Sequence, residues 1–293
     1  MGGGILKNEE VMKEFSRDFY NLIDKRKVLI ANHRGTFGGS IIENTTDAFG
    51  LALQAGADII EFDIIRSKDG KYFVYHDTEE SRTLGFLNNI HAFTAEEIEK
   101  MTYLNRYGFK TSRKIDTLEE VLDYLKGKCY FNLDRCAKYR YSYLKGALDV
   151  IAKKDMFDQL LLKTMPTDEL LNGIANYGVP MMYMPIVSAP DQVEKVITKD
   201  INTVALELLF KTDDDEIVSD ENLKKWKDMN LNLWVNTICI DEKYVMSGGH
   251  DDNVALCGNE QKGWGDLIDK GFNILQTDWP YYLNRYLDKK LGR

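Results

Sequence analysis

The chain has 293 residues, which is enough for one α/β barrel of ~250 residues with modest additions. Its 38 Lys and Arg residues against 47 Asp and Glu residues give a formal net charge of −9, which argues against a nucleic-acid partner. No apolar run reaches the ~20 residues that a membrane helix needs, so we expect no stable membrane anchor. The four cysteines form no CxxC pair and predict free thiols rather than a zinc site.

The first ten residues have neither the positively charged start nor the apolar core of a signal peptide. We therefore expect a cytoplasmic protein as the chain stands. If a signal peptide preceded the Gly2-Gly3-Gly4 start and was removed, the protein would be secreted or periplasmic. The sequence indicates no particular oligomeric state.

Short apolar runs alternate with amphipathic segments along most of the chain. Eight runs predict β-strands: Val28–His33, Asp58–Ile65, Cys129–Asp134, Leu160–Thr164, Pro180–Val187, Thr203–Leu208, Leu231–Thr237 and Asn273–Asp278. Six segments predict helices: Thr45–Ala55, Thr117–Leu125, Thr167–Tyr177, Pro190–Lys199, Ser219–Met229 and Gly263–Lys270. This alternation predicts the α/β class and a single closed (β/α)₈ TIM barrel over residues 1–293.

The connection after the second strand is longer than the others. Asp69-Gly70 lies between two apolar runs, a pattern typical of a β-hairpin. A turn centred on this pair would place His76 opposite Asp63 and fold the histidine over the second strand. The segment that follows has weak helical signals, so we expect a small inserted lobe at about residues 77–115.

Polar residues at strand ends predict the functional site, because the carboxyl ends of barrel strands meet at one mouth. His33 ends the first strand, and Arg34 follows it; a histidine can move protons, and an arginine can hold a phosphate. Glu61 and Asp63 share one face of the second strand, and buried carboxylates require a cation. With Asp134 at the end of the third strand, they predict a site for Mg²⁺ or Ca²⁺. The alternative is that these carboxylates are solvent-facing charges at an edge.

Three further charged residues are expected to face the mouth, namely Lys163, Glu207 and Asp278. Lys163 would contact a phosphate oxygen or balance the carboxylates, and Glu207 would support the ligands or accept a substrate hydroxyl. Salt bridges within a polar layer are an equally good interpretation of all three. The chain lacks the GxxxxGK[ST], GxGxxG and GxSxG motifs, so nucleotide binding and serine hydrolase chemistry are unsupported. The remaining interpretation is metal-assisted chemistry on a small phosphate ester.

The chain resembles the glycerophosphodiester phosphodiesterase family over most of its length, from Val28 to Leu287. The matching groups, in chain order, are His33-Arg34-Gly35, Glu43-Asn44-Thr45, Glu61-x-Asp63, Asp69-Gly70, His76-Asp77, Thr117-Leu118-Glu119-Glu120-Val121-Leu122 and Gln276-Thr277-Asp278-x-Pro280. The resemblance implies a (β/α)₈ barrel and a divalent ion. It also implies hydrolysis of small-molecule glycerophosphodiesters to glycerol 3-phosphate and an alcohol.

The resemblance also implies roles for individual residues. Glu61 and Asp63 would be metal ligands, and His33 and His76 would be the acid/base pair. Arg34 would hold the phosphate, and Glu43 would support the site. The family often has Asn-x-Glu-x-Lys at the third strand, where this chain has Asn132-Leu133-Asp134-Arg135-Cys136. Lys163, on the next strand, would then supply the missing positive charge.

Two other functions fit the same residues. One is a lyase similar to phospholipase D or to phosphatidylinositol phospholipase C, which would form a cyclic phosphate. The other is a barrel that binds phosphodiesters without catalysis. Either water or a neighbouring hydroxyl of the substrate would serve as the nucleophile.

Overall fold

The computed structural model describes residues 3–136, 140–240 and 243–293. Its strands are β1 (Leu29–His33), β2 (Ile59–Arg66), β3 (Tyr72–Val74), β4 (Thr102–Leu104), β5 (Lys110–Lys114), β6 (Tyr130–Asp134), β7 (Leu160–Thr164), β8 (Met182–Val187), β9 (Ala205–Leu208), β10 (Asn232–Asn236) and β11 (Ile274–Thr277). The eight predicted strands are all present, with bounds within two residues of the prediction.

These eight strands are parallel and form a closed barrel in the order β1, β2, β6, β7, β8, β9, β10, β11. The ring closes because β1 pairs with both β2 and β11. Each strand is almost wholly buried, as expected for a parallel sheet covered by helices. The predicted TIM barrel is therefore confirmed.

Most of the helices cover the outside of the barrel. The helices are α1 (Gly3–Arg26), α2 (Thr46–Gln54), α3 (Glu80–Thr83), α4 (Ala95–Ile98), α5 (Leu118–Leu125), α6 (Tyr141–Lys154), α7 (Asp168–Ala175), α8 (Pro190–Ile197), α9 (Asp220–Asp228), α10 (Asp252–Leu256), α11 (Asp266–Lys270) and α12 (Pro280–Leu291). The side chains of Thr45, Thr117 and Thr167, with which three of the predicted helices begin, cap α2, α5 and α7. The long helices α1, α6 and α12 were not among the predicted segments. In the described ranges, no helix has the length and apolar character that a bilayer crossing requires.

The first helix closes the barrel at the end opposite the predicted mouth. Phe19 and Ile23 of α1 are buried in one apolar cluster with the inward-facing side chains Leu29, Leu161 and Trp234. The barrel interior is thus filled with apolar side chains at its amino-terminal end. The polar side chains of the interior lie at the carboxyl-terminal end of the barrel, where the loops can vary without disturbing this core.

The insertion after β2 has its own small core, built from Ile65, Phe73, Tyr75, Ile90, Ile98, Tyr103 and Ile115. Its hairpin is confirmed, but the predicted register is wrong by one residue. The backbone N–H of Tyr75, not that of His76, bonds to the carbonyl of Asp63 at 3.0 Å. The reason is that the turn has three residues, centred on Asp69 and closed by the Ser67–Lys71 backbone bond of 2.8 Å. His76 therefore lies past the end of β3, in a loop at the barrel mouth.

Candidate active site

A cavity of about 430 Å³ opens at the carboxyl ends of the barrel strands. Seven of the nine site residues proposed from the sequence line it: His33, Arg34, Asp63, His76, Asp134, Lys163 and Glu207. Glu61 and Glu43 lie directly behind this lining. The Arg34 backbone N–H donates to Glu61 at 3.2 Å, and the Arg34 guanidinium contacts Glu43 at 3.2 Å. The fold therefore brings all nine residues together at the barrel mouth.

The carboxylates of Glu61, Asp63 and Asp134 converge, with one oxygen of each lying within 4.8 Å of the others. The parallel register of β2 and β6 places Asp63 beside Asp134. Burial raises the pKa of Glu61 to about 7, because a charged carboxylate loses its hydration there. A buried carboxylate held at this cost gains from a nearby cation, and an all-oxygen set suits a hard ion. The residues present therefore fit Mg²⁺ or Ca²⁺.

Lys163 lies at the floor of the cavity among the carboxylates. Its Nζ is 3.0 Å from Asp134 and 3.7 Å from both Glu61 and Glu207. Burial works against its charge, but the three carboxylates keep its pKa well above the ordinary value. The same ion pair lowers the pKa of Asp134 to about 2, against the effect of partial burial. These contacts favour the interpretation in which Lys163 balances the carboxylates.

Arg34 is held rigidly at the cavity wall. Its Nε lies 3.0 Å from Asp63, and Glu43 holds the other side of the guanidinium. Glu43 is itself fixed by Arg82 at 2.7 Å. The chain reaches this arrangement through left-handed backbone at Arg34 (φ 55°) and Gly35 (φ 81°). A Cβ on Gly35 would lie 2.6 Å from the Cβ of Ala48, so only glycine fits here.

The two histidines have different surroundings. His33 Nδ1 is 2.9 Å from a carboxylate oxygen of Asp278, whereas the buried Nδ1 of His76 has no hydrogen-bond partner among the described residues. Burial lowers the pKa of His33, but the hydrogen bond and charge of Asp278, together with the charge of Glu61, outweigh this effect and leave that pKa raised. Burial dominates at His76 and lowers its pKa. These environments favour the protonated form of His33 and the neutral form of His76.

Arg135 is a cavity residue that the sequence analysis did not assign to the site. Its Nη1 lies 2.7 Å from Asp77, its Nε lies 3.7 Å from Asp63, and its side chain lines the cavity. Its backbone is left-handed, with φ of 58°, so the chain changes direction directly after the end of β6. The sequence shows that Arg135 directly follows Asp134, but it does not show that the arginine side chain lines the cavity.

Asp252 is a second residue without a sequence signal, and it holds the end of β11 in place. Its buried carboxylate accepts hydrogen bonds from Thr237 and Trp264 at 2.8 Å each, from Thr277, and from the backbone N–H of Asp278 at 2.9 Å. It thereby orients the residue that contacts His33. No local motif predicts this role, because the partners come from three distant segments.

Two separate stretches of the chain match two different family models. Residues 33–135 match the model of the glycerophosphoryl diester phosphodiesterase family, and residues 183–287 match that of a domain of unknown function, DUF4996. A glycerophosphodiester phosphodiesterase of Caldanaerobacter subterraneus subsp. tengcongensis is 38% identical over 103 residues. That alignment covers 35% of this chain and 42% of the relative, so the chain spans less than half of the relative's length.

Solved structures match over nearly the whole barrel. A glycerophosphoryl diester phosphodiesterase of Parabacteroides distasonis has a TM-score of 0.70 at 19% identity, covering 90% of this chain and 87% of its own. An Oleispira antarctica phosphodiesterase, solved in complex with the product sn-glycerol-3-phosphate, has a TM-score of 0.65 at 18% identity, covering 89% and 96%. At these identities the likeness shows the shared fold.

Proposed function

We propose that the chain belongs to the glycerophosphoryl diester phosphodiesterase family, whose model matches residues 33–135, and that it hydrolyses glycerophosphodiesters to glycerol 3-phosphate and an alcohol. The observation that supports this most is the convergence of two histidines, three carboxylates and two arginines on one cavity. The product complex of the Oleispira antarctica phosphodiesterase, which has the same fold, agrees with such a substrate.

The two arginines would hold the phosphate between the histidines. Arg34 and Arg135 both line the cavity, and both are fixed by carboxylates, Arg34 by Asp63 and Glu43 and Arg135 by Asp77. Fixed donors stabilise developing charge without having to reorient during the reaction. Their planar guanidinium groups are also suited to bidentate contact with phosphate oxygens.

The histidines would divide the proton transfers. His33, whose protonated form Asp278 favours, would donate from Nε2 to the oxygen of the leaving alcohol. His76, whose burial favours the neutral form, would accept the proton of the nucleophile, whether that is water or a neighbouring hydroxyl of the substrate. Two titratable groups whose environments push their pKa values in opposite directions are typical of an acid/base pair.

Glu61, Asp63 and Asp134 would hold the divalent cation. When bound, such an ion polarises a phosphoryl oxygen and stabilises negative charge in the transition state. Lys163 would keep the three carboxylates ionised and together, and Glu207, which accepts from Asn236 at 2.8 Å, would fix the lysine from the opposite side.

The test is a phosphorus NMR assay of the purified protein with glycerophosphocholine, glycerophosphoethanolamine and glycerophosphoinositol. We expect glycerol 3-phosphate to form with Mg²⁺ or Ca²⁺ and the activity to disappear in EDTA. A stable cyclic phosphate as the final product would instead indicate a lyase. Binding without turnover of any of these substrates would indicate a non-catalytic barrel.

The assignment of His33 as the acid and His76 as the base can be tested by changing the leaving group of the substrate. A phosphodiester with a nitrophenol leaving group needs little help from an acid, because nitrophenolate leaves without a proton. His33→Ala should therefore be much less impaired on this substrate than on glycerophosphocholine, whereas His76→Ala should be impaired on both. The reverse pattern would exchange the two roles.

A further inference from the structure

The inserted lobe carries the three most exposed large apolar side chains among the residues whose exposure the structure describes. Leu87 is 88% exposed, Tyr107 is 72% exposed and Phe109 is 69% exposed. Tyr107 and Phe109 lie in the turn between β4 and β5, residues 105–109, which we call the hairpin tip. Large apolar side chains grouped at one exposed place are typical of a surface that contacts another molecule.

Hydrogen bonds around Asn105 fix the backbone of the hairpin tip. The Asn105 side-chain oxygen accepts from the backbone N–H groups of Tyr107 and Phe109 at 3.0 Å each, and its own backbone N–H donates to the carbonyl of Phe109 at 2.8 Å. Gly108 supplies the left-handed residue that the turn requires, with φ of 80°. These bonds hold the backbone and leave both rings uncovered. Because the turn is already fixed, little entropy of backbone ordering is lost when a partner covers the rings.

The same hairpin is basic, although the chain as a whole is acidic. Residues 102–114 contain four Lys and Arg residues and no Asp or Glu, whereas the chain has a formal net charge of −9. Arg113 is paired with two carboxylates. Arg106, Lys110 and Lys114 form no ion pair with any of the described residues. Three uncompensated cations beside two exposed rings favour a partner that is both anionic and apolar.

The hairpin tip lies at the mouth end of the barrel. The backbone N–H of Arg106 donates to the carbonyl of Gly39 at 3.1 Å, and Gly39 belongs to the loop that leads from the carboxyl end of β1 to α2. A Cβ on Gly85 would lie 3.1 Å from the side chain of Leu104, the last residue of β4, so the loop that carries Leu87 passes beside the hairpin. The two exposed apolar segments of the lobe are therefore neighbours.

We propose that the hairpin tip docks the protein reversibly on an anionic lipid bilayer, with Tyr107 and Phe109 in the interfacial layer and the three free cations on the lipid phosphates. Aromatic rings favour the boundary between lipid and water, and basic residues beside them are attracted to anionic head groups. A tip of five residues is much smaller than the about 20–30 residues a side of a stable protein interface, which argues against a second copy of the chain as the occupant. The docking involves no catalytic step, so it is independent of the proposed phosphodiesterase function.

The test is sedimentation of the full chain with vesicles of phosphatidylcholine alone and with vesicles of equal parts phosphatidylcholine and phosphatidylglycerol. We expect binding to the mixed vesicles only, and release at about 1 M salt, where the screening length falls to about 3 Å. Each basic residue at an anionic surface contributes about fivefold to the partition coefficient, so the double variant Arg106→Gln, Lys110→Gln should bind about 25-fold more weakly. The double variant Tyr107→Ser, Phe109→Ser should bind about tenfold more weakly or worse, because two rings no longer leave water.

The double variant Lys153→Gln, Lys289→Gln is the matched control, because it removes the same two charges from α6 and α12, outside the lobe. Both lysines are exposed and form no ion pair with the described residues. The control should keep the binding of the wild type. Equal loss in the control and in Arg106→Gln, Lys110→Gln would overturn the proposal, because net charge rather than the hairpin would then set the binding. Failure of the wild type to bind the anionic vesicles would also overturn it, and an acidic protein would then be the better candidate for this surface.

Phe109→Trp gives a direct readout of contact with lipid. Of the four tryptophans of the wild type, Trp279 is the most exposed, at 45%. With vesicles that contain brominated phosphatidylglycerol, we expect a larger quenched fraction of tryptophan fluorescence in Phe109→Trp than in the wild type. An equal quenched fraction in both proteins would refute insertion of the hairpin tip.

Discussion

The substitution Asp278→Asn isolates the charge that Asp278 places beside His33. The side chain keeps its shape, and an amide oxygen can still accept from Nδ1 across the present 2.9 Å. What is lost is the difference between a charged and a neutral hydrogen bond, which is about 1–2 kcal/mol. At about 1.4 kcal/mol for each factor of ten, we expect kcat on glycerophosphocholine to fall about 5- to 30-fold.

The pH profile gives a second readout of the same substitution. Asp278 raises the pKa of His33, so removing its charge lowers that pKa. If His33 must be protonated to act as the acid, the alkaline limb of the kcat profile should move to lower pH. Asp213→Asn is the matched control, because Asp213 pairs with His250 at 3.0 Å and neither residue lines the cavity. An unchanged profile in Asp278→Asn, or an equal loss of kcat in both variants, would refute the assignment.

Further predictions concern the cation, the phosphate and the fold around them. Adding Mg²⁺ or Ca²⁺ should raise the melting temperature of the wild type more than that of Glu61→Gln; equal shifts would contradict the assigned ligands. Arg135→Met should raise KM for glycerophosphocholine more than it lowers kcat, and a pure kcat effect would argue against phosphate binding. Lys163→Met leaves buried carboxylates without their cation and should lower the free energy of unfolding by about 3–5 kcal/mol in urea titrations. Gly35→Ala should lower it by about 1–3 kcal/mol, through backbone strain at φ 81° and the 2.6 Å approach to the Cβ of Ala48, whereas Gly70→Ala, which has the backbone strain at φ 102° but no atom within 4 Å of its Cβ, should lose less.

The barrel could be predicted because the sequence patterns that mark its strands and helices are local. Each buried parallel strand is a short apolar run, and threonine caps at residues 45, 117 and 167 mark the starts of helices. Polar residues at strand ends also follow from the chain itself, since a closed barrel brings all these ends to one mouth. The convergence of Glu61, Asp63 and Asp134 is therefore a consequence of the fold that the sequence predicts.

Two of the helices that the sequence analysis did not predict have apolar residues at helical spacing. Helix α6 buries Leu144, Ala147, Leu148 and Ile151 at helical spacing, and α1 places Phe15, Phe19 and Ile23 four residues apart. Both segments could have been predicted from this periodicity.

Other features depend on contacts that no local pattern specifies. Asp69-Gly70 is compatible with turns of two or three residues, and the extra residue shifts His76 past the strand. Arg135 reaches the cavity through a left-handed backbone conformation that is rare outside glycine. Asp252 acts only after β10, β11 and the tryptophan before α11 have come together.

The central claim is that His33 and His76 perform the proton transfers of phosphodiester hydrolysis in this cavity. The most direct measurement is kcat for glycerol 3-phosphate release from glycerophosphocholine, with Mg²⁺ or Ca²⁺ present, in the wild type, His33→Ala and His76→Ala. We expect each variant to lose about 10²- to 10⁴-fold in kcat while KM changes little. A near wild-type kcat in either variant would contradict the claim.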